Sequence, residues 1–496
     1  MERYDVCVIG GGPSGYAAAM RAIDFKQKVL LIEKSKIGGA GLYNGALSSK
    51  TFWEISRGVM EANLRLNKYT DKDLTIDYRE VLKDVNDTIL LRKIQLETHL
   101  LLLLRKHADC ISYIKGSAEL LSKNEIKIQT GEGAEKVVYA ENIILATGTR
   151  PRKLPNIPID EQSIVTSDGI EHFQEFPKSM VILGAGVIGC EWATIFANFG
   201  TTKVNIIDKA DRILPFEDED ISYTIQTQLE EKGVTIHKNS RLIRMNKVND
   251  MVEYELEYKD GHTEVFTVEK ALVAVGRVTN VEGLGLENAG IKLTARNHVE
   301  DIDTQTNVPN IYAVGDLTSE YALVNVGELE GRHAIEKIAG VNPPPLSYKN
   351  ISTIMFLDPE TAGVGINEQE AQQRNISYRM VSIDYSLIPR AIAMRRTKGF
   401  FKILVTDDDH MRVLGMRAVG EHASSAIQAV ALLIAMDKSI EEISELIHPH
   451  PSIIEGIQEC VRVLKGKSIL KPEVFKDTLR IRCWKDGSYY NSCQYY

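Results

Sequence analysis

Two copies of one short pattern constrain this chain more than any other feature. The first runs from an apolar strand, Tyr4 to Ile9, through Gly10-Gly11-Gly12-Pro13-Ser14-Gly15 into a helix from Tyr16 to Phe25. It then reaches a second strand, Val29 to Ile32, that ends on Glu33. The second copy runs from Met180-Val181-Ile182-Leu183 through Gly184-Ala185-Gly186-Val187-Ile188-Gly189 to a strand, Val204 to Ile207, closed by Asp208. In a Gly-x-Gly-x-x-Gly turn of this kind the first glycine permits the tight turn and the second lets backbone approach a pyrophosphate. The third lets the helix pack on the strand, and the acid at the second strand end accepts hydrogen bonds from ribose hydroxyls. One Gly-x-Gly-x-x-Gly alone is a weak signal. Two, each with its strand, helix and acid in place, imply two bound dinucleotides.

The residues expected to hold them are Gly10, Gly12, Pro13, Ser14, Gly15, Glu33 and the neighbouring Lys34 in the first copy. In the second they are Gly184, Gly186, Val187, Ile188, Gly189 and Asp208. A carboxylate at Asp208 favours the free 2′-hydroxyl of NAD(H), because a 2′-phosphate there meets a like charge. Lys209 and Arg212 lie close enough in sequence to soften that preference. NADH is therefore expected, with NADPH left open.

A chain of 496 residues allows roughly three domains at about 150 residues each. A formal net charge of -9 argues against an electrostatic nucleic-acid or anionic-membrane binder. The leucine run Leu100 to Leu104 is far short of the roughly 20 residues needed to span a bilayer. It is read instead as part of a long buried helix, inside a helical pattern from about Tyr69 to Ala108. A strand that begins within the first few residues leaves no room for a leader, so a cytoplasmic location is expected. Cys7, Cys110, Cys190, Cys460, Cys483 and Cys493 show no metal-ligand spacing, and no metal site is expected. Cys7, inside a strand, and Cys190, at a helix start, read as small buried hydrophobes.

Four further segments carry a resemblance. They are Ala146-Thr147-Gly148 at the end of an apolar strand, Ala274-Val275-Gly276-Arg277, the run Ala313-Val314-Gly315-Asp316, and His448-Pro449-His450-Pro451 with Glu455. With the two dinucleotide units, and in this order, they make residues 1 to 470 similar to the class-I pyridine nucleotide-disulfide oxidoreductases, the flavoprotein family of dihydrolipoamide dehydrogenase. The resemblance implies an α/β fold, with two Rossmann-like three-layer dinucleotide-binding domains and an α+β C-terminal dimerisation domain. It implies FAD on the first unit and NAD(H) on the second. The domains then run 1–154 and 279–345 for FAD, 155–278 for NAD and 346–470 for dimerisation, with 471–496 as a C-terminal extension. Asp316 is implied at the ribityl chain of FAD, with Ala146, Thr147, Gly148, Gly276 and Arg277 as further cofactor contacts. Lys50 and Glu191 resemble the family's ion pair beside the flavin. His450 and Glu455 resemble its base and orienting carboxylate, which reach the other subunit's flavin and so imply a homodimer.

The stretch Gly38-Gly39-Ala40-Gly41-Leu42-Tyr43-Asn44-Gly45-Ala46-Leu47-Ser48-Ser49-Lys50 stands where the family carries its redox cysteine pair. Gly41 and Ala46 occupy the two cysteine positions, Ser48 the proline position, and Tyr43 a position that is usually asparagine. The glycine frame and Lys50 remain, with Gly41 among the expected flavin contacts. Electrons are then expected to pass from NADH through flavin directly to a small-molecule acceptor, a quinone, a dye or a second nicotinamide nucleotide. His450 and Glu455 have no thiolate to serve and are either proton donors to that acceptor or retained interface structure. Two alternatives stay open. One is a catalytically degenerate sensor or structural subunit that binds FAD and NAD, with the aromatic tail as a contact for a protein partner. The other is a disulfide reductase that uses the tail cysteines Cys483 and Cys493.

Overall fold

The computed structural model of the chain describes all residues except 44, 71–73, 132, 319–320 and 491–496. Asn44 and Cys493 therefore lie outside the described residues. Contacts divide the chain into two units. One comprises Met1–Gly58, Leu66–Phe176 and Leu272–Leu346, and the other Val59–Arg65, Pro177–Ala271 and Ser347–Tyr496.

In the first unit β1 (Glu2–Ile9), α1 (Pro13–Asp24) and β2 (Val29–Glu33) follow one another as the glycine pattern requires. Helices α2 (Ala46–Tyr69) and α3 (Tyr78–Lys106) come next, then β3 (Ile111–Leu120), β4 (Glu125–Thr130) and β5 (Glu135–Leu145). Strands pair in the order β3, β2, β1, β5 and then Ile311–Ala313, all parallel along this core, from Ile9 opposite Ile32 to Ala313 opposite Leu145. Val6, Val8, Leu30, Leu31, Ile143 and Ile144 are fully buried, the continuous apolar strand signature of a sheet covered on both faces. α1 lies on one face through Ala18, Ala19 and Ala22, side chains small enough for close helix-to-sheet packing.

The helix expected from about Tyr69 to Ala108 begins later, at Tyr78, and a separate helix precedes it. α2 ends at Tyr69, and α3 starts afresh where the Asp77 side chain accepts from the Arg79 N–H at 2.9 Å, a side-chain cap that satisfies an orphan donor of the first turn. The leucine run is only half inside. Leu100 is buried, whereas Leu101 and Leu102 are 48% and 56% exposed, because successive residues on a helix point about 100° apart.

The second unit repeats the motif as β6 (Ser179–Leu183), α4 (Val187–Phe199) and β7 (Lys203–Ile207), with Leu183 opposite Ile207 and the short strand Thr235–His237 beyond. It also holds a seven-stranded sheet whose core is built from Tyr378–Asp384, Phe400–Thr406 and Val413–Val419. Helix Glu455–Leu464 packs on it through Ile457, Cys460 and Val461.

Two strands of the C-terminal stretch, Leu479–Lys485 and Ser488–Tyr490, join this sheet. Strand Leu479–Lys485 pairs antiparallel with Tyr378–Asp384, from Trp484 opposite Tyr378 to Leu479 opposite Ile383. The Trp484 and Tyr378 rings stack at 5.9 Å, and Leu479, Cys483 and Trp484 are buried. The tail's tryptophan thus packs within its own unit. Cys483 is disulfide-bonded, and the other described cysteines are free. Among the described residues no helix is long and apolar enough to cross a membrane, and no His, Cys, Asp or Glu cluster is arranged to hold a metal ion.

Candidate functional site

The two glycine turns close with the same hydrogen bonds. Gly10 N–H donates to Ile32 O at 2.8 Å and Gly184 N–H to Ile207 O at 2.9 Å, while Tyr16 N–H reaches Gly12 O and Cys190 N–H reaches Gly186 O. Gly11 N–H donates to Glu33 Oε2 at 2.7 Å, and Ala185 N–H to Asp208 Oδ2 at 2.7 Å. Each acid therefore braces its own turn and keeps lone pairs for a further donor such as a ribose hydroxyl.

The glycines are required by contact and by backbone. At Gly15 and at Gly189 a Cβ would lie 1.9 Å from the carbonyl oxygen of Gly10 or Gly184, and those two residues have φ of +111° and +107°. Gly12 and Gly186 have nothing within 4 Å of where a Cβ would stand. Each caps a helix that has no side-chain cap, which leaves N–H donors and open space where a pyrophosphate would sit. On this geometry both turns fit a dinucleotide. Pro13, Val187 and Ile188 are the opening residues of the two helices, and Lys34 is exposed beside Glu33.

Within the first unit the predicted flavin residues converge. Ala146 N–H donates to Ile9 O, which places Ala146-Thr147-Gly148 directly against the first turn. Gly315 approaches Ser14 so closely that a Cβ would stand 2.3 Å from its hydroxyl oxygen. Asp316 Oδ2 accepts from the Thr149 hydroxyl at 2.8 Å, and Arg277 donates to that hydroxyl at 2.8 Å and to Thr149 O at 2.9 Å. Gly276 has φ of +100° and Arg277 pairs with Pro151 across a short antiparallel ribbon. Thr149, which the sequence reading passed over, links Arg277 to Asp316 and fixes the carboxylate rotamer.

Gly41 lies within a short helix, Gly39–Leu42, and Ala46 opens α2. A Cβ on Gly41 would stand 2.6 Å from Pro13 Cγ and 3.6 Å from Val324 Cγ2. Lys50 Nζ donates to Ser49 Oγ at 3.3 Å. Ser48 is buried and its hydroxyl hydrogen-bonds Glu171; burial pushes that carboxyl up, against the opposing pull of Ser48. Lys36 Nζ lies 4.7 Å from the Tyr43 ring centre, and the Tyr43 hydroxyl is buried with its pKa raised, chiefly by burial. A cavity of about 370 Å³ opens beside this stretch, bordered by Pro13, Tyr16, Gly41, Leu42, Leu47 and, from α3, Leu91. No spacing rule in the sequence signals it, since its walls come from four separate segments.

In the second unit Glu191 is buried on α4, and its Oε1 accepts from Phe356 N–H at 3.0 Å. Lys50 and Glu191 thus belong to different units. The imidazole of His450 donates through Nδ1 to Glu455 Oε1 at 2.8 Å, and Ser452 N–H donates to Glu455 Oε2 at 2.7 Å. Burial works to raise the Glu455 carboxyl, but the Ser452 N–H and His450 outweigh it and hold the group below the usual range. The His450 side chain itself is 69% exposed, oriented by its carboxylate and open to a partner.

Residues 4–331 match the family described as pyridine nucleotide-disulphide oxidoreductase, and residues 351–461 match its dimerisation domain. The chain is 34% identical over 483 residues to a dihydrolipoyl dehydrogenase of Bacillus subtilis, covering 94% of this chain and 99% of that one. It is likewise 34% identical over 472 residues to the dihydrolipoyl dehydrogenase of Geobacillus stearothermophilus, covering 94% and 97%. Among solved structures, LpdA from Mycobacterium tuberculosis superposes with a TM-score of 0.84 at 26% identity, covering 93% of this chain and 99% of that one. The Cu(II) complex of RclA, an HOCl-induced flavoprotein disulfide reductase from Escherichia coli, superposes at 0.80 and 26%, again covering 93% and 99%.

Proposed function

Given that the chain belongs to the pyridine nucleotide-disulfide oxidoreductase family, we propose that it is an NAD(P)H-dependent flavoprotein oxidoreductase that acts on a non-disulfide acceptor. FAD and NAD(H) are the cofactors of this family, and the match to its dimerisation domain supports a homodimer. Together the two cofactors supply an electron pair from NADH. The first turn, with Glu33, Gly315 and Asp316, would hold FAD, and the second turn, with Asp208, would hold NAD(H). Lys50 supplies a cation for the reduced flavin and Glu191 a buried carboxylate, the roles that the family resemblance gives them. His450, oriented by Glu455, is an exposed group able to donate or accept a proton.

The observation that carries the non-disulfide reading is the state of position 41. The names of the relatives point to disulfide chemistry, but this sequence has no cysteine between Cys7 and Cys110. A side chain at 41 would collide with Pro13 at 2.6 Å, below any ordinary van der Waals contact. The cavity beside position 41 is lined largely by apolar groups, a surface suited to a flat small molecule. The acceptor is accordingly a quinone, a dye or a second nicotinamide nucleotide.

Anaerobic stopped flow tests this reading. NADH is expected to bleach the bound flavin, and menadione to restore its colour with turnover, while lipoamide does neither. Turnover of lipoamide, with a long-wavelength thiolate-to-flavin band on partial reduction, sinks the proposal.

A further inference from the structure

The cavity beside Gly41 holds a feature that neither glycine turn needs. Tyr16, in the first turns of α1, lines it, and the Tyr16 hydroxyl lies 2.7 Å from His99 Nδ1 with the rings 5.9 Å apart. His99 stands on α3, which contributes Thr88, Arg92, Gln95 and Leu96 to the cavity wall. Relative to Thr88 these are positions i+4, i+7, i+8 and, for His99, i+11, one face of a helix. The cavity wall therefore continues directly into an exposed histidine. Most other lining groups, such as Pro13, Leu42, Leu47 and Val324, are apolar, so a ligand oxygen in this space has few polar partners, and the tyrosine hydroxyl is one of them.

Reduction of a quinone by NADH consumes one proton from solution: quinone, NADH and H⁺ give hydroquinone and NAD⁺. The electron pair arrives with one hydrogen, and the second must be delivered to a quinone oxygen by an acid. We infer that Tyr16 is the catalytic residue that delivers this proton and that His99 is the positioning residue that recharges it. The inference rests on the reading of a quinone as acceptor in this cavity. The Tyr16 O–H bond breaks as the hydroquinone O–H bond forms. Tyr16 oxygen takes a proton from His99 Nδ1, and His99 regains one from solvent at its exposed edge. Burial pushes the Tyr16 hydroxyl up to about 12, against the lowering influence of Arg92, so it carries its proton at physiological pH and gives it up only to an acceptor oxygen that has gained negative charge. Arg92 and Glu328 are the charged groups that face the cavity from α3 and from helix Val324–Ile338. The arginine favours the negative charge that develops on a half-protonated hydroquinone.

The test compares wild type, Tyr16→Phe, His99→Gln and His450→Gln holoprotein with two oxidants: menadione, which needs a proton, and ferricyanide, which takes single electrons and none. Tyr16→Phe is expected to lower the ratio of menadione to ferricyanide turnover by at least about tenfold, the low end of general-acid contributions. It should also abolish the solvent deuterium isotope effect on the menadione half-reaction. Calorimetric titration of oxidised protein with menadione reads the same hydroxyl without turnover: its loss should weaken binding about fivefold. His99→Gln should lower the ratio while leaving the menadione affinity within about twofold, because the glutamine amide can still hold Tyr16 in place. An unchanged ratio and affinity in Tyr16→Phe, with quinone turnover intact in wild type, overturns the inference and leaves the functional reading standing. Loss of the isotope effect in His450→Gln but not in Tyr16→Phe overturns it in favour of the dyad at Glu455. A wild-type protein that reduces ferricyanide but no quinone overturns the inference and leaves the functional reading with a dye or a second nicotinamide nucleotide as acceptor.

Discussion

At the scale of single residues, the site is shaped by what a side chain would hit. Gly41 and Pro13 are complementary: the ring fills the volume into which a longer residue at 41 would project. Gly41→Cys should therefore destabilise the protein by about 1–3 kcal/mol through overpacking, seen as a lowered thermal midpoint relative to Ala46→Cys. Thr149 works in the opposite way. It adds a contact, a hydroxyl that joins Arg277 to Asp316 at 2.8 Å on either side, and so helps preset the carboxylate.

At the scale of elements, the C-terminal strand shows how an extension becomes structure. Its residues alternate between the sheet's two faces, with Leu479 buried against the main core and Trp484 stacked on Tyr378 in a smaller one. Trp484→Ala should cost about 3–5 kcal/mol, the range for a large aromatic lost from a core, and chemical denaturation with an unchanged slope is the measurement that checks it. A loss below about 1 kcal/mol shows that the strand is dispensable. Helix α3 presents a similar division of labour: Val81, Val85, Ile89 and Leu100 are buried, while Leu91, Arg92, Gln95 and Leu96 turn to the cavity. One helix serves both core and site because its 3.6-residue period offers more than one face.

At the scale of the whole molecule, a buried charge network ties distant segments of the second unit. Lys402, fully buried, pairs with Asp218 at 2.8 Å, Asp220 at 2.6 Å and Glu368 at 3.0 Å. Burial alone disfavours the ammonium, but Asp220, Asp218 and Glu368 outweigh it and raise the Lys402 pKa, while the Asp218 carboxyl, burial notwithstanding, is lowered by Lys402. The signs are opposite in consequence. The lysine's contribution is full below its unfolded value and fades only as pH rises through the raised folded one. The aspartate's is present above its unfolded value, 3.8 in the ordinary case, and fades as pH falls through the lowered one. Lys402→Met strands several carboxylates without a buried cation and should cost about 3–5 kcal/mol at neutral pH. That deficit should shrink on acidification toward pH 4 as the stranded carboxyls take up protons. A deficit that is the same at pH 7 and pH 4 refutes this account.

The sequence by itself determined both dinucleotide turns, down to the acid that braces each, because a tight turn, a close backbone approach and a helix packed on a strand are demands met within about 30 residues. Ala146 to Gly148, Arg277 and Asp316 were picked out through the resemblance of their short motifs to the family rather than from local pattern alone. Only the tertiary structure decided the break between Tyr69 and Tyr78, the enrolment of Leu479–Lys485 in a sheet, the Lys402 network and the meeting of Tyr16 with His99, 83 residues away. Those features depend on which surfaces face each other after packing, and a one-dimensional pattern of glycines and apolar residues carries that information only for neighbours along the chain.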